Sequence, residues 1–249
     1  GGVSHRRIQT MRLLGAQWTT GTLIRRYKRF LADVALADEG VITAHCPNTG
    51  AMTNCWAKGD TVYLSASKDP RRKTQHTLEI IRHQGRFIGV NSAKANDLIF
   101  DAFKHDKLEG FSGFERIERE SAFQDSRFDF KLSDSRGASQ FVEVKSVTYK
   151  SDNDWGLFPD APSARACKHL QTLIEAQQQG FRAALIFCAQ HSGIKRIAPA
   201  GAVDPEYAQL LGRAIQAGVS VVGVGISFRP PFAWVSGVLP VVLEPTVSR

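Results

Sequence analysis

Ser126-Arg127-Phe128-Asp129-Phe130, followed ten residues later by Phe141-Val142-Glu143-Val144-Lys145-Ser146-Val147, is the stretch on which the reading of this chain turns. Both segments alternate polar and apolar residues, the period of a half-buried strand. Arg127, Asp129 and Lys131 share one face of the first, with Phe128 and Phe130 on the other. Glu143 and Lys145 face one way in the second, while Val142 and Val144 face the core. The intervening Ser133-Asp134-Ser135-Arg136-Gly137 is turn material, so the two strands form an antiparallel hairpin. Its polar faces then bring two carboxylates and one ammonium together on an otherwise apolar sheet.

That grouping has a chemistry. A hard divalent cation takes oxygen ligands, and Mg²⁺ or Mn²⁺ bound by one or two carboxylates leaves room for water and phosphate. Asp129 and Glu143 are therefore the candidate metal ligands, and Asp129, Glu143 and Lys145 the candidate catalytic set. A lysine two residues beyond the glutamate lies on the same face, where it stabilises charge on a phosphorane or orients a water. The spacing Asp-x(13)-Glu-x-Lys is similar to the signature of the PD-(D/E)xK nuclease superfamily. Charged residues on a solvated strand face produce the same pattern by chance, so context has to decide.

Charge supplies the first context. The net charge of +8 lies wholly in residues 1–90, which hold 14 Lys/Arg against 6 Asp/Glu; the other 159 residues are balanced at 18 and 18. A cationic module attracts phosphate backbones through counterion release. Two clusters carry that excess. Arg25, Arg26, Tyr27, Lys28 and Arg29 interleave cations with an aromatic, as a nucleic-acid surface does, or as a charged edge strand does. Arg71, Arg72 and Lys73 follow Pro70 in a loop. Further on, Arg165, Lys168 and His169 sit at i, i+3 and i+4 on one helical face, facing either a nucleic-acid backbone or solvent.

Segment patterns place a boundary near residue 90. Residues 21–36, 40–46, 60–67, 77–83 and 86–91 read as short strands, and five of these in a basic module suggest an OB-like β-barrel over 11–90. Residues 91–228 alternate differently. A helix over 95–104 is followed by strands at 114–121, 127–131 and 140–147, then a helix capped by Asp160 and ended by Gly180. A buried strand follows from Phe181 to Ala189, and Asp204-Pro205 opens another helix before the strand Val219 to Ile226. The fold class is mixed α/β, an α-β-β-β-α-β nuclease-like core behind the barrel, with 229–249 as a C-terminal tail. Met11 would serve as a start, which makes the first ten residues an upstream extension or a vector scar.

Cys46, Cys55, Cys167 and Cys188 form no C-x-x-C pair and read as reduced thiols of a cytoplasmic protein. No apolar run reaches membrane-spanning length. The chain resembles the bacterial sugar fermentation stimulation protein A family. The words that carry the resemblance are Arg25-Arg26-Tyr27-Lys28-Arg29-Phe30-Leu31-Ala32-Asp33-Val34, His45-Cys46-Pro47-Asn48-Thr49-Gly50-Ala51-Met52, Gly89-Val90-Asn91-Ser92 and the two hairpin strands. Leu157-Phe158-Pro159-Asp160-Ala161, Lys168-His169-Leu170 and Asp204-Pro205-Glu206-Tyr207 continue it. Together they cover most of Gly21 to Val224. Ala164-Arg165-Ala166-Cys167 departs from the glycine-containing form expected before Lys168. The resemblance implies an OB-like domain, a nuclease-like domain and DNA as partner, RNA being the alternative. Three roles fit: a metal-dependent nuclease, a regulatory DNA-binding protein linked to sugar metabolism that keeps the fold without turnover, or an RNA-processing protein, since a basic barrel does not choose between polymers.

Overall fold

A computed structural model describes residues 10–245 apart from Thr49. Five strands close into a barrel: β2 (Trp18–Tyr27), β3 (Leu31–Leu36), β4 (Gly40–His45), β5 (Thr61–Ala66) and β6 (His76–His83). β2 pairs antiparallel with β3 and β5, β3 with β4, and β5 with β6. A parallel contact of β4 with β6, His45 opposite Thr77, closes the ring. Alternation does the folding: Ala32, Val34 and Leu36 of β3 point inward onto Leu23, Val62, Leu64 and Leu78. The stretch expected as one strand over 21–36 is two, because Lys28 and Arg29 turn the chain at φ 52° and 64°. β7 (Arg86–Gly89) pairs with β6 and leads out of the barrel.

The second region is layered. Its sheet runs β1-β16-β15-β13-β10-β9-β8, formed by Met11–Arg12, Phe232–Leu239, Ser220–Arg229, Arg182–Ala189, Ser139–Val147, Ser126–Ser133 and Arg116–Phe123. The central β10, β13 and β15 are parallel, and their apolar runs are covered on both faces. Helix α1 (Ala93–Lys104) packs Ile99 and Phe103 with Phe130, Val142, Val144 and Ile186. On the opposite face α2 (Ala164–Gln178) and α3 (Pro205–Gln216) cover Phe141, Leu185 and Phe187 with Leu170, Leu173, Tyr207 and Leu211. A small sheet of β11 (Tyr149–Lys150), β12 (Trp155–Phe158) and β14 (Arg196–Pro199) extends the base of β10. The order α1-β8-β9-β10-α2-β13 is the one expected, with β11 and β12 inserted ahead of α2.

Two expectations are corrected. Residues 232–239, read as part of a tail, form β16, which pairs along β15 and carries β1 on its outer edge. Pro230 and Pro231 do not end the fold; they make the turn that returns the chain to it. The cap of α2 is Ser163, whose Oγ accepts from the Ala166 N–H at 3.0 Å, not Asp160. Asp160 accepts instead from the Met52 N–H of the barrel at 3.3 Å. Asp204 caps α3 as read, accepting from the Tyr207 N–H.

The barrel and the sheet are joined by a polar seam. The Gly89 N–H donates to the Gln190 carbonyl at 2.8 Å, and the Ser192 N–H to that of Phe87 at 2.9 Å. The Gln190 amide in turn reaches the Asn91 carbonyl and Ser146 Oγ. A Cβ on Gly89 would stand 2.5 Å from Gln190 Oε1, so a side chain there would push the Gln190 amide out of the seam. All four cysteines are free and buried. Among the described residues no helix is long and apolar enough to cross a membrane.

Candidate carboxylate crevice

The β9–β10 ladder holds from Ser133 opposite Ser139 to Phe130 opposite Val142, and stops there. One residue further the Val144 N–H donates to the Asp129 side chain, Oδ2 at 2.7 Å. That side-chain bond takes the place of the next ladder bond, and the strands part. β9 continues only with β8, while β10 continues with β13, Glu143 opposite Leu185 and Lys145 opposite Phe187. The sheet therefore splits at Asp129. Phe128 and Phe130, expected on one face, are separated by this splaying. Phe128 packs 4.9 Å from the Phe141 ring, and Phe130 packs 5.3 Å from Phe103 under α1.

Three charged groups meet at the split. Asp129 is half-buried and held on its other oxygen by the Asn96 amide of α1 at 2.9 Å. Glu143 is 4% exposed, and its Oε2 has no hydrogen-bond partner among the described residues. Burial, then the adjacent Asp129 carboxyl, pushes the Glu143 pKa far above the usual carboxylate range. Lys145 places its Nζ 2.6 Å from His169 Nδ1 on α2. Burial lowers the Lys145 pKa against the pull of Glu143 and Asp129. Burial and then the Lys145 and Arg165 charges hold His169 down to about 4, so its neutral ring accepts from the ammonium. The Tyr207 hydroxyl, buried on the α2/α3 side, also has no partner among the described residues, and burial above all raises its pKa.

Asp129, Glu143 and Lys145 thus stand together. The charge of Arg165, at the start of α2, reaches all three titrating neighbours Glu143, Lys145 and His169. Lys168 is exposed and lies 3.9 Å from Asp125, which directs it along the rim. Asn96 and His169 are the residues that strand patterning did not put into the site. His169 had a signal in its i+4 spacing from Arg165; Asn96, on the polar side of α1, had none. Glu120, on the neighbouring strand β8, is exposed. Among the described residues no third His, Cys, Asp or Glu joins the pair.

The barrel cluster divides. Arg25 pairs with Asp33 at 2.8 Å and stacks 4.1 Å over the Tyr27 ring. Arg26 turns inward, and its guanidinium donates to the carbonyls of Arg29, Asn48, Gly50 and Ala51. Lys28 and Arg29, at the hairpin tip, are exposed, as are Arg71, Arg72 and Lys73 in the β5–β6 loop.

A closed OB-type barrel, seamed to a sheet-and-helix core that gathers two carboxylates and a lysine where its strands part, defines a two-domain class. The chain belongs to the sugar fermentation stimulation protein family, whose SfsA N-terminal OB domain matches residues 24–90 and whose RE domain matches residues 93–231. A sugar fermentation stimulation protein homolog of Pseudoalteromonas atlantica is 41% identical over 226 residues, 90% of this chain and 96% of the relative. One from Shewanella baltica is 44% identical over 213 residues, 84% of this chain and 91% of the relative. The solved structure of Pyrococcus furiosus SfsA in complex with Ca²⁺ is similar at a TM-score of 0.82 and 26% identity, covering 93% of this chain and 99% of that one.

Proposed function

We propose that this chain is a DNA-binding protein whose crevice holds Mg²⁺ or Mn²⁺ on Asp129 and Glu143 and hydrolyses phosphodiesters. The observation that carries the reading is the buried Glu143 oxygen without a partner, set beside a second carboxylate. A buried carboxyl whose proton affinity is raised by burial and by a second carboxyl beside it is a poor structural element and a good cation site, because a divalent ion reverses the local field. The donor set fits: Mg²⁺ commonly takes only one or two carboxylates and fills its shell with water and phosphate oxygens. That Pyrococcus furiosus SfsA was solved in complex with Ca²⁺ supports the reading that this chain binds a hard divalent cation.

A cation bound there supplies Lewis acidity and lowers the pKa of a coordinated water. The chain's own residues do the rest. Asn96 and the Val144 N–H fix the Asp129 carboxylate in one orientation. Neutral His169 accepts from Lys145 and so aims its ammonium along the crevice, where charge develops on phosphate oxygens. Arg165, exposed at the start of α2 with its charge felt at His169, is the cation we assign to the phosphodiester. The exposed cations of the barrel and the β5–β6 loop lend the non-specific backbone attraction.

The test is cleavage of single-stranded DNA, duplex DNA and RNA by the purified chain with Mg²⁺, Mn²⁺, Ca²⁺ or EDTA. Mg²⁺ or Mn²⁺ should support cleavage and EDTA should abolish it. Asp129→Ala and Glu143→Ala should each lose activity by orders of magnitude. Lys145→Ala should keep cation binding and lose turnover. Full-rate cleavage by Glu143→Ala would assign the activity elsewhere. Cation binding without cleavage of any substrate would favour the regulatory reading, in which DNA is bound and left intact.

A further inference from the structure

Away from the crevice, a cavity of about 250 Å³ lies in the seam, walled by His83 and Arg86 of the barrel and Lys150, Ser151 and His191 of the core. Its lining is cationic and rich in donors. Arg86 is exposed at the mouth, and Lys150 reaches in from β11 with its Nζ 3.0 Å from the Ser151 carbonyl. Asp152, also exposed, is the single carboxylate in the wall.

The two histidines are oriented from behind. His191 is 4% exposed, and its Nδ1 accepts from the Gly193 N–H at 3.0 Å, which fixes the remaining proton on Nε2. His83 is held by Nδ1, 2.8 Å from Asp60 Oδ2, so its Nε2 is the free end. The Ser151 hydroxyl is buried and has no partner among the described residues. Burial first, then the charges of Lys150, His83 and Arg86, holds His191 down to about 4. In the wall Lys150 and Arg86 outnumber the one carboxylate, Asp152, so its net charge is positive.

We propose that this cavity binds a phosphate group clamped between the two domains. The group belongs either to a small phosphate monoester or to one backbone phosphate of a nucleic acid. The chemistry selects phosphate over a carboxylate: its oxygens can use donors from both walls at once, whereas a carboxylate has two to offer. The volume admits a tetrahedral oxyanion with an attached moiety. Because the wall is shared, ligand binding should tighten barrel against core. The proposal does not rest on the crevice being catalytic.

The test follows the assigned His191 ring resonances of the labelled full chain during titration with inorganic phosphate, at ionic strength held constant with chloride. A saturable shift with a Kd of about 1 mM or tighter is expected, weakened about tenfold or more in Arg86→Gln/Lys150→Gln. The exposed Arg86→Gln alone serves should the double variant fail to fold. A DNA oligonucleotide without terminal phosphate separates the sources. If it moves the same His191 signals and displaces phosphate, the backbone is the ligand; if phosphate stays bound beside it, a free monoester is. His191 signals that move with neither probe, or a shift unchanged in the charge-removed variants, would overturn the proposal.

Discussion

The chain holds two hairpins that look alike as sequence and behave as opposites. β2–β3 and β9–β10 each alternate charge with apolar residues and each carry an aspartate on a strand. Asp33 of β3 accepts from Arg25 Nε, the Tyr27 hydroxyl and the Thr43 hydroxyl, at 2.8, 3.0 and 3.1 Å. The Arg25 bond, before any other contact, lowers its pKa. Glu143 of β10 has a second carboxylate for company, an oxygen with no partner and a raised pKa. In the first hairpin the aspartate and Arg25 answer each other and the result is structure. In the second, Asp129 and Lys145 find partners but the buried Glu143 keeps an oxygen without one among the described residues, an exception to the rule that buried polar groups are paired.

Arg26 gives the comparison its hardest test. It belongs to the most basic run of the chain, yet three of its bonds, to Arg29, Asn48 and Gly50, are 2.7 to 2.8 Å long and end on loop carbonyls. Arg26→Ala should leave the part-buried carbonyls of Asn48 and Gly50 unpaired and cost about 1–3 kcal/mol, read as a lower midpoint in denaturant. A variant of wild-type stability with weakened DNA binding would move Arg26 from structure to interface.

Glu143→Gln should change stability in the other direction. In EDTA the amide keeps the shape while removing a buried acid from beside Asp129, so the chain should gain about 1–3 kcal/mol at neutral pH. The same variant should lose the rise in melting temperature that Mg²⁺ or Mn²⁺ gives the wild type. A destabilised Glu143→Gln without metal would mean that the carboxyl already has a partner and that the contrast between the hairpins fails.

These two residues also show what was legible in the sequence. Alternation marked the β9–β10 hairpin and continuous apolar runs marked β13 and β15, because both signals are local, whereas the short β11, β12 and β14 carried neither. Gly180, Gly218 and Asp204-Pro205 marked helix ends for the same reason. The meeting of Asp129 with Glu143 was legible because a hairpin joins them. The partners from elsewhere were not: Asn96 comes to Asp129 from 33 residues away and His169 to Lys145 from 24. Asp160 looked like a cap four residues ahead of α2, but its partner Met52 is 108 residues away. Residues 232–239 were missed because two prolines precede them, and Pro in a turn reads in sequence as the end of a fold. The direction Arg26 faces could not be read from a run of basic residues, since exposed and inward arginines share one alphabet.

Lys28 and Arg29 carry the part of the basic run that remains available to a ligand. Their hairpin tip is exposed, whereas Arg25 and Arg26 are engaged. Replacing both by alanine should leave stability within about 0.5 kcal/mol, since neither side chain is tied into loop carbonyls as that of Arg26 is. If the tip meets a phosphate backbone, the slope of log K for DNA against log salt should become shallower by about one for each phosphate no longer neutralised. An unchanged slope would take the tip out of the interface and leave the β5–β6 loop and Arg165 as the cations to test.

The smallest effect is expected at Asp33, and its pH dependence has a definite sign. Its pKa is lowered from 3.8 by Arg25, so the folded state binds the proton less readily than the unfolded state. The resulting stabilisation is present above pH 3.8 and lost as pH falls through the native value beneath it. Asp33→Asn should therefore melt slightly below the wild type at neutral pH, and the difference should vanish in strong acid, where the wild-type carboxyl is itself neutral. Arg25 is 60% exposed along its side chain, so solvent screens the pair and the shift in melting temperature should fall well short of the one at Glu143. Raising salt should shrink it further. A difference that persists at low pH would show that Asp33 acts through the geometry of its hydrogen bonds to Tyr27 and Thr43. Charge would then not separate the two hairpins at this position, and the comparison would rest on Glu143 alone.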